Sequence, residues 1–256
     1  MVIRPVSHGL LDSDEAIVEA YARAITPKTR AIHLTHMIHW TGRTIPVKEI
    51  CALARERDIR TVIDGAQSFA HIPLSLREIG CDYYATSFHK WLSGPIGTGM
   101  LFVRADRIEE TWPLFAPFEE LPGIDKFGMA NLGTYQSGTH AAVGDAVDFH
   151  DRIGTARKHA RLQSLSRYWV ERAMEIPGFR IHTPMDHPEL GGIATFSLDG
   201  IPVAVIEARL RNEFGIQTRR RVPEGLNGIR VSPQIYMRTS ELDTFVDAIR
   251  TIATSA

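Results

Sequence analysis

The sequence predicts an α/β protein with a mostly parallel, doubly wound sheet and a small α+β domain behind it. Two observations support this prediction. In the first half of the chain, strand-like apolar runs alternate with segments whose apolar residues recur at helical spacing. From about residue 141, two helical segments follow each other, and short strands come after them. We therefore predict a sheet domain over residues 1–150 and a small C-terminal α+β domain over residues 151–256.

The first half can be justified element by element. Ser13 is a favourable N-cap, and apolar residues follow it at helical spacing, so a helix is predicted over residues 13–25. Buried strands are predicted where apolar residues run together without that spacing. The further predictions are a strand over 29–36, a helix over 46–58, a strand over 59–64, a short helix or turn over 73–80, and strands over 81–87 and 99–104.

The second half follows an irregular segment over residues 105–140 that is rich in proline, glycine and aromatic residues. Helical spacing then returns, and short strands surround one further helix, as is typical of a small α+β domain. The predictions are helices over 141–154 and 155–176, strands over 179–183 and 192–198, a helix over 203–214, strands over 215–220 and 228–233, and a last helix from Ser240.

Composition narrows the possible partners. The 256 residues are 44% apolar, which is enough for a sizeable core, and the formal net charge is -1 with both signs mixed along the chain. This balance predicts neither nucleic acid nor an anionic membrane as partner. No apolar run is long enough to span a membrane, and the first residues lack the pattern of a signal peptide. We expect a small ligand and a cytoplasmic location.

Cysteine usage agrees with this expectation. The sequence has two cysteines, Cys51 and Cys81, which fall in separate predicted elements, and no group of Cys and His has zinc-like spacing. We therefore predict no metal site and no disulfide framework, and a reducing compartment is favoured.

Two charged residues fall where ligands of open α/β sheets collect, at the carboxyl ends of strands. Asp64 ends the strand over 59–64 and precedes Gly65, which permits a sharp turn. Lys90 lies just beyond the next strand, so the acid and the lysine can face each other across a crevice. On position alone, a helix N-cap or turn role is as good an interpretation of Asp64, and a solvated loop position is the commoner one for Lys90.

The surrounding residues favour a specific chemistry. A lysine that forms an imine needs a reachable, partly desolvated amine. A pyridoxal ring attached to that amine needs a carboxylate that keeps its ring nitrogen protonated. Lys90 and Asp64 match these requirements, and Ser87 and His89 add donors suited to a phosphate. Ordinary hydrogen bonding at a strand end is the alternative role of Ser87 and His89.

The stretch over residues 61–104 resembles the core signature of the class V aminotransferases of fold type I. This family uses pyridoxal 5'-phosphate (PLP) and includes isopenicillin-N-epimerase-like proteins and cysteine desulfurases. The resemblance rests on D-G-A-Q, the S-x-H-K box and the glycine-proline loop, in that order. It implies the fold type I architecture, PLP as cofactor, an amino-acid substrate and a homodimer with shared active sites.

The resemblance also implies a role for each matching residue. Lys90 would be the Schiff-base lysine, and Asp64 would be the partner of the pyridinium nitrogen. The other implied contacts are Gln67 at the ring hydroxyl, Ser87 and His89 at the phosphate, Gly133 and Thr134 at the phosphate of the neighbouring subunit, and Arg230 at the substrate carboxylate.

The chain departs from the family pattern in two ways. Family members are usually longer, and their first phosphate loop and ring-stacking residue precede the position of residue 1. The sheet domain is therefore expected to be N-terminally incomplete relative to the family. His39 stands where the family commonly has asparagine, near the ring hydroxyl and the substrate carboxylate. Histidine can donate a hydrogen bond there but can also ionise; a neutral, satisfied histidine is the alternative.

The leading hypothesis is a PLP-dependent epimerase, aminotransferase or lyase in which Lys90 moves the α-proton of an amino acid. A cysteine desulfurase that uses its own persulfide cysteine is not expected, because no cysteine follows Cys81. The alternative is a non-catalytic remnant of the fold that dimerises or binds a protein. A nicotinamide-dependent enzyme is a weaker third hypothesis, since no G-x-G-x-x-G follows the first strand.

One basic stretch stays open to two interpretations. Arg219, Arg220 and Arg221 follow each other near the predicted substrate arginine, Arg230. They could supply a second anion contact, but a solvated basic loop is the preferred interpretation at this stage.

Overall fold

The computed structural model describes residues 2–114, 121–128, 136–223 and 226–255. Within these ranges the chain forms two four-stranded sheets. The first sheet comes from the N-terminal half of the chain and the second from the C-terminal half. The predicted α/β fold with a mostly parallel sheet is confirmed, and the division at residue 150 stays a prediction.

The first sheet has the strand order β1-β2-β3-β4. β1, β2 and β3 are parallel, and β4 is an antiparallel edge strand. A helix precedes each of the parallel strands β2 and β3. No helix lies between β3 and β4, because two antiparallel strands can be joined by a loop alone. The bounds are α1 Asp14–Ala24, β1 Ala31–Thr35, α2 Val47–Arg55, β2 Arg60–Asp64, α3 Leu76–Ile79, β3 Tyr83–Ser87 and β4 Gly99–Val103.

Helices pack on one face of this sheet. α1 begins as the sequence predicts, because the Ser13 hydroxyl accepts a hydrogen bond from the Ala16 N–H at 3.3 Å. The apolar residues of α1 and α2 cover alternate residues of the strands, and the resulting core includes Ile17, Ile50, Ile63 and Tyr84. The alternating positions on the opposite face are open to solvent at Ala31, His33, Ala85 and Leu101.

The second sheet is antiparallel, with the strand order β5-β6-β8-β7. Its core surrounds Trp169, which is fully buried and makes edge-to-face contacts with Phe179, Phe196 and Phe245 at 5.4–6.2 Å between ring centroids. The bounds are α4 Ser137–Ile153, α5 Thr155–Ala173, β5 Phe179–Ile181, β6 Ala194–Leu198, α6 Val203–Phe214, β7 Arg219–Arg221, β8 Gly228–Val231 and α7 Thr239–Thr254.

A third apolar cluster joins the two halves. It packs the loop after β3 against α4, α5 and the start of β6, with Trp91, Ala146, Leu162 and Ile193 among its buried members. The loop that carries Lys90 is therefore held between both halves of the chain. None of the helices in the described ranges is both long and apolar enough to span a bilayer.

Candidate active site

The carboxyl ends of the parallel strands bring the first site residue into place. Asp64 is the last residue of β2, and its backbone oxygen accepts a hydrogen bond from the His36 N–H just after β1, at 2.9 Å. One carboxylate oxygen, Oδ1, accepts the Ala66 N–H at 2.9 Å. This local bond holds the half-buried side chain at the end of the strand and leaves Oδ2 with no hydrogen bond among the described residues.

Gly65 is required for a different reason from the one the sequence suggests. Its φ is not positive, so no special turn conformation is involved. A Cβ at this position would lie 2.0 Å from the ring of Tyr84 on the neighbouring strand. Tyr84 is itself fully buried and hydrogen bonds to Ser68 at 2.8 Å and His36 at 3.2 Å. The glycine therefore lets β2 run directly beside this ring.

Gly65→Ala should lower the free energy of unfolding by about 1–3 kcal/mol, because the new methyl group has to displace the Tyr84 ring or the end of β2. Urea denaturation measures this change. Gly144→Ala is the matched control, since no atom lies within 4 Å of a Cβ in that exposed part of α4, and there alanine should stabilise by about 0.5–1 kcal/mol. Equal effects at the two positions would contradict the close-packing argument.

Lys90 lies in a closed loop between β3 and β4. The Phe88 N–H donates to the Thr98 carbonyl at 3.0 Å, and the Gly94 N–H donates back to the Phe88 carbonyl at 2.8 Å. Within this loop the Lys90 carbonyl accepts the Ser93 N–H at 3.2 Å. The backbone of Lys90 is thus fixed, and its side chain is half-buried.

The surroundings of the Lys90 amine shift its pKa. Burial lowers the pKa of Lys90, the Arg230 guanidinium lowers it as well, and the Asp64 carboxylate acts in the opposite direction. Lys90 therefore lies within Coulomb range of both Asp64 and Arg230. The structure brings together the lysine and the aspartate that the sequence places on successive strand ends.

Trp91 connects Lys90 to Gln67, and the sequence analysis did not identify it. Its indole N–H donates to the Gln67 side-chain oxygen at 2.9 Å. Its ring stacks on the buried His71 imidazole at 3.6 Å between centroids. Since an indole can only donate, the Gln67 oxygen must face Trp91, and the Gln67 NH₂ is left to donate to a ligand. The one available signal was that a buried indole N–H needs an acceptor.

Lys158 supports the same loop from behind. It is 4% exposed, and its ammonium group donates to the Trp91 carbonyl. Its Nζ also lies 3.4 Å from the Nδ1 of His150, whose Nε2 lies 3.0 Å from the Thr155 hydroxyl. Nothing in the local sequence of α5 distinguishes Lys158 from a solvated lysine, because its burial depends on the distant loop around Trp91.

Lys158 should give the stability of the protein a specific pH dependence. Burial lowers the pKa of Lys158 to about 8, whereas a lysine in an unfolded chain has a pKa of about 10.4. Between these values the unfolded state binds more protons, so the free energy of unfolding rises with pH. We expect Lys158→Met to remove about 1–2 kcal/mol of this rise, measured by urea denaturation at about pH 7.5 and about pH 10.

Lys28→Met is the control for this measurement, because Lys28 is exposed before β1. It should leave the rise in stability unchanged. An equal rise in the Lys158→Met protein and the unmutated protein would show that Lys158 does not titrate as a buried group.

Arg230, on β8 of the second sheet, contacts the backbone of His39, which follows β1 of the first sheet. The Arg230 Nη1 donates to the His39 carbonyl at 3.1 Å. Burial, together with Arg221 and Arg219, lowers the pKa of Arg230 to about 10. Burial also lowers the pKa of His39, as do Arg221, Arg230 and Lys90, while Asp64 opposes them. The lowered pKa favours the neutral form of the His39 imidazole, and its role at the ring hydroxyl or the substrate carboxylate stays a prediction.

The other candidate residues differ in their placement. Ser87 ends β3 and is half-buried, whereas His89 is exposed. Gly133 and Thr134 lie outside the described residues. Within the described ranges, no three side chains of His, Cys, Asp or Glu are grouped as metal ligands. The structure thus places Asp64 and Arg230 within electrostatic reach of both Lys90 and His39, and Gln67 beside Trp91, the residue after Lys90.

Comparison with known proteins adds relatives of two kinds. The family model described as Aminotransferase class-V matches residues 2–248. An isopenicillin N epimerase from Streptomyces clavuligerus is 33% identical, over 93% of this chain and 64% of its own length. A second isopenicillin N epimerase, from Amycolatopsis lactamdurans, is 32% identical over 95% of this chain and 65% of its own length. A probable cysteine desulfurase from Pseudomonas putida is 29% identical over 97% of this chain and 64% of its own length.

Solved structures share the fold. An apo cysteine desulfurase from Thermococcus onnurineus NA1 has a TM-score of 0.85 at 19% identity, over 98% of this chain and 66% of its own. A cystine C-S lyase in complex with its product cysteine persulfide has a TM-score of 0.80 at 24% identity, over 91% of this chain and 64% of its own. The family match covers nearly the whole chain, and the chain spans 64% and 65% of the two epimerases. This protein belongs to the class-V aminotransferase family.

Proposed function

We propose that this protein is a PLP-dependent enzyme that moves the α-proton of an amino acid with Lys90. The observation that carries the proposal is the half-buried Lys90 amine at the loop after β3, within Coulomb range of Asp64 and Arg230. An amine whose pKa is lowered by burial has a larger neutral fraction near pH 7, and only the neutral form is a nucleophile or a base.

The donors and acceptors of the site fit PLP. The Gln67 NH₂ can donate to the ring hydroxyl, because Trp91 holds the amide oxygen on the other side. The Asp64 Oδ2 can accept from a protonated ring nitrogen, because only Oδ1 is bound by the Ala66 N–H. Ser87 supplies a hydroxyl for the phosphate at the end of β3. The proposed contacts of Gly133 and Thr134 with the phosphate of a partner subunit, and hence a homodimer with shared sites, stay predictions.

Each residue has a defined task in the proposed reaction. PLP, when bound, supplies an electron sink that makes the α-proton of an amino acid acidic. Lys90 would hold the cofactor, would yield it to the substrate amine, and could then accept the α-proton at its freed Nζ. Arg230 binds the substrate carboxylate with its guanidinium, and the neutral His39 can donate or accept a hydrogen bond beside it. The Asp64 side chain at the end of β2 would stabilise the protonated ring nitrogen.

Epimerisation is the outcome we favour. Epimerisation returns a proton to the opposite face of the same carbon and requires no second substrate, and two relatives above 30% identity are named isopenicillin N epimerases. Desulfuration through a persulfide on the chain is not supported, because Cys51 and Cys81 are the two cysteines and both are 1% exposed. Burial raises the pKa of Cys51 to about 11 and of Cys81 to about 12, so neither is a thiolate at pH 7.

The proposal is tested by reconstitution. The chain is titrated with PLP, reduced with borohydride and digested, and mass spectrometry identifies the labelled lysine. We expect saturable uptake, a visible absorbance band that borohydride abolishes, and the label on Lys90. Solvent deuterium should then enter the α-position of an amino-acid substrate, as seen by NMR. A chain that takes up no PLP, or that carries the label elsewhere, would refute the proposal.

A second candidate function is a non-catalytic binding module. The solvent-exposed sheet face at Ala31, His33, Ala85 and Leu101 favours it, because sheets of this class normally bury both faces. Such a module would dimerise or bind a protein without saturable PLP uptake. Sizing the native chain alongside the titration distinguishes the two functions.

A further inference from the structure

The three consecutive arginines of β7 do not share one environment. Side chains alternate along a strand, so Arg219 and Arg221 face one way and Arg220 faces the other. Arg220 pairs with Glu207 of α6, with 2.5 Å between Nε and Oε2. Arg219 lies directly opposite Arg230 on β8, so Arg219, Arg221 and Arg230 share one face.

That face looks toward the candidate active site. The neighbour of Arg230 on β6 is Thr195, whose hydroxyl donates to the Trp40 carbonyl, and Arg230 itself donates to the adjacent His39 carbonyl. The charge of Arg221 lowers the pKa of both His39 and Arg230. Arg221 therefore lies within Coulomb range of the same groups as Lys90.

Two of these guanidinium groups are incompletely satisfied. The Nε atoms of Arg221 and Arg230 are buried and have no hydrogen-bond partner among the described residues. Neither arginine forms an ion pair with any residue in the described ranges. Partly buried positive charges that repel each other and lack counterions are costly, and an anionic ligand that accepts from them reduces this cost.

A single carboxylate does not account for both arginines. In the proposed function Arg230 binds the α-carboxylate of the substrate, and this inference rests on that proposal. Arg221 then remains as a second cation on the same face, partly buried and with its Nε unpaired among the described residues. We propose that the substrate is an amino acid with a second carboxylate at the far end of its side chain, and that Arg221 binds this second carboxylate.

Binding of simple carboxylates tests the inference. Glutarate, with two carboxylates, and butyrate, with one, are titrated into the chain with and without PLP, and tryptophan fluorescence or calorimetry reports the dissociation constants. We expect glutarate to bind at least about tenfold more tightly than butyrate, as a second charge-assisted contact provides. Arg221→Met should abolish this preference, and Arg221→Lys should retain part of it.

Arg220→Met is the matched control, because Arg220 belongs to the same strand but pairs with Glu207 on the opposite face. It should leave the preference for glutarate intact. Equal affinities of the unmutated chain for the two probes would overturn the inference, and so would a preference that survives Arg221→Met or is lost equally in Arg220→Met.

The result is independent of the reconstitution experiment. A chain that takes up PLP on Lys90 but shows no preference for glutarate keeps the proposed function and loses the second-carboxylate site. A chain that prefers glutarate through Arg221 but takes up no PLP keeps the anion site and loses the enzymatic proposal.

Discussion

Lys90→Ala should abolish covalent uptake of PLP and reduce proton exchange at the substrate α-carbon by about 10³-fold or more, since it removes both the attachment point and the base. The borohydride-fixed label should disappear from the peptide that contains residue 90. Lys90→Arg should give the same loss, because a guanidinium keeps the positive charge but neither condenses with an aldehyde nor loses a proton near pH 7. Mass spectrometry and NMR measure the two losses.

Lys28→Ala is the control for Lys90→Ala, because Lys28 is exposed before β1. It should leave uptake and exchange unchanged. Retained covalent uptake in Lys90→Ala, with the label on another lysine, would show that the amine in the loop after β3 is not the reactive group. Matching urea denaturation curves for the two variants exclude misfolding as the cause of a loss.

Asp64→Asn should reduce proton exchange by about 10²–10⁴-fold, because a neutral amide no longer stabilises a protonated ring nitrogen. It should also lower the pKa of the Lys90 amine further in the chain without PLP. The Asp64 carboxylate is the charge that raises the pKa of Lys90 against burial and Arg230. This second effect requires no cofactor and no substrate.

The pH dependence of Lys90 acylation measures that pKa. A small acylating reagent is added over a range of pH, and mass spectrometry follows the peptide that contains Lys90. The midpoint should shift to lower pH in Asp64→Asn. It should not shift in Asp148→Asn, which alters an exposed carboxylate of α4. An unchanged midpoint in Asp64→Asn would mean that the two side chains are not electrostatically coupled.

Much of the fold could be predicted because it depends on neighbouring residues. The cap by Ser13 and the helical spacing after it lie within one short segment, and α1 begins where they predict. The apolar runs in the sequence likewise predict buried strands, and β1, β2 and β3 form there. Placing Asp64 and Lys90 at adjacent strand ends followed from these local assignments and the geometry of parallel sheets.

Other features depend on residues far apart in the chain. Gly65 appeared to serve a turn, but it makes room for Tyr84 across the sheet. Trp91 orients Gln67 and is held by Lys158, which is 67 residues away. No local pattern marks these contacts, because each depends on how complete elements pack against each other.

The sequence by itself determined the α/β class, the order of the elements and the pair Asp64 and Lys90, because periodicity and strand ends are local properties. Only the tertiary structure decided which charges face each other. β7 turns Arg220 toward Glu207 and Arg221 toward Arg230 and His39, although the residues are adjacent and chemically identical. The physical reason is that alternation in a strand separates neighbours in sequence, and only packing determines which face meets the active site.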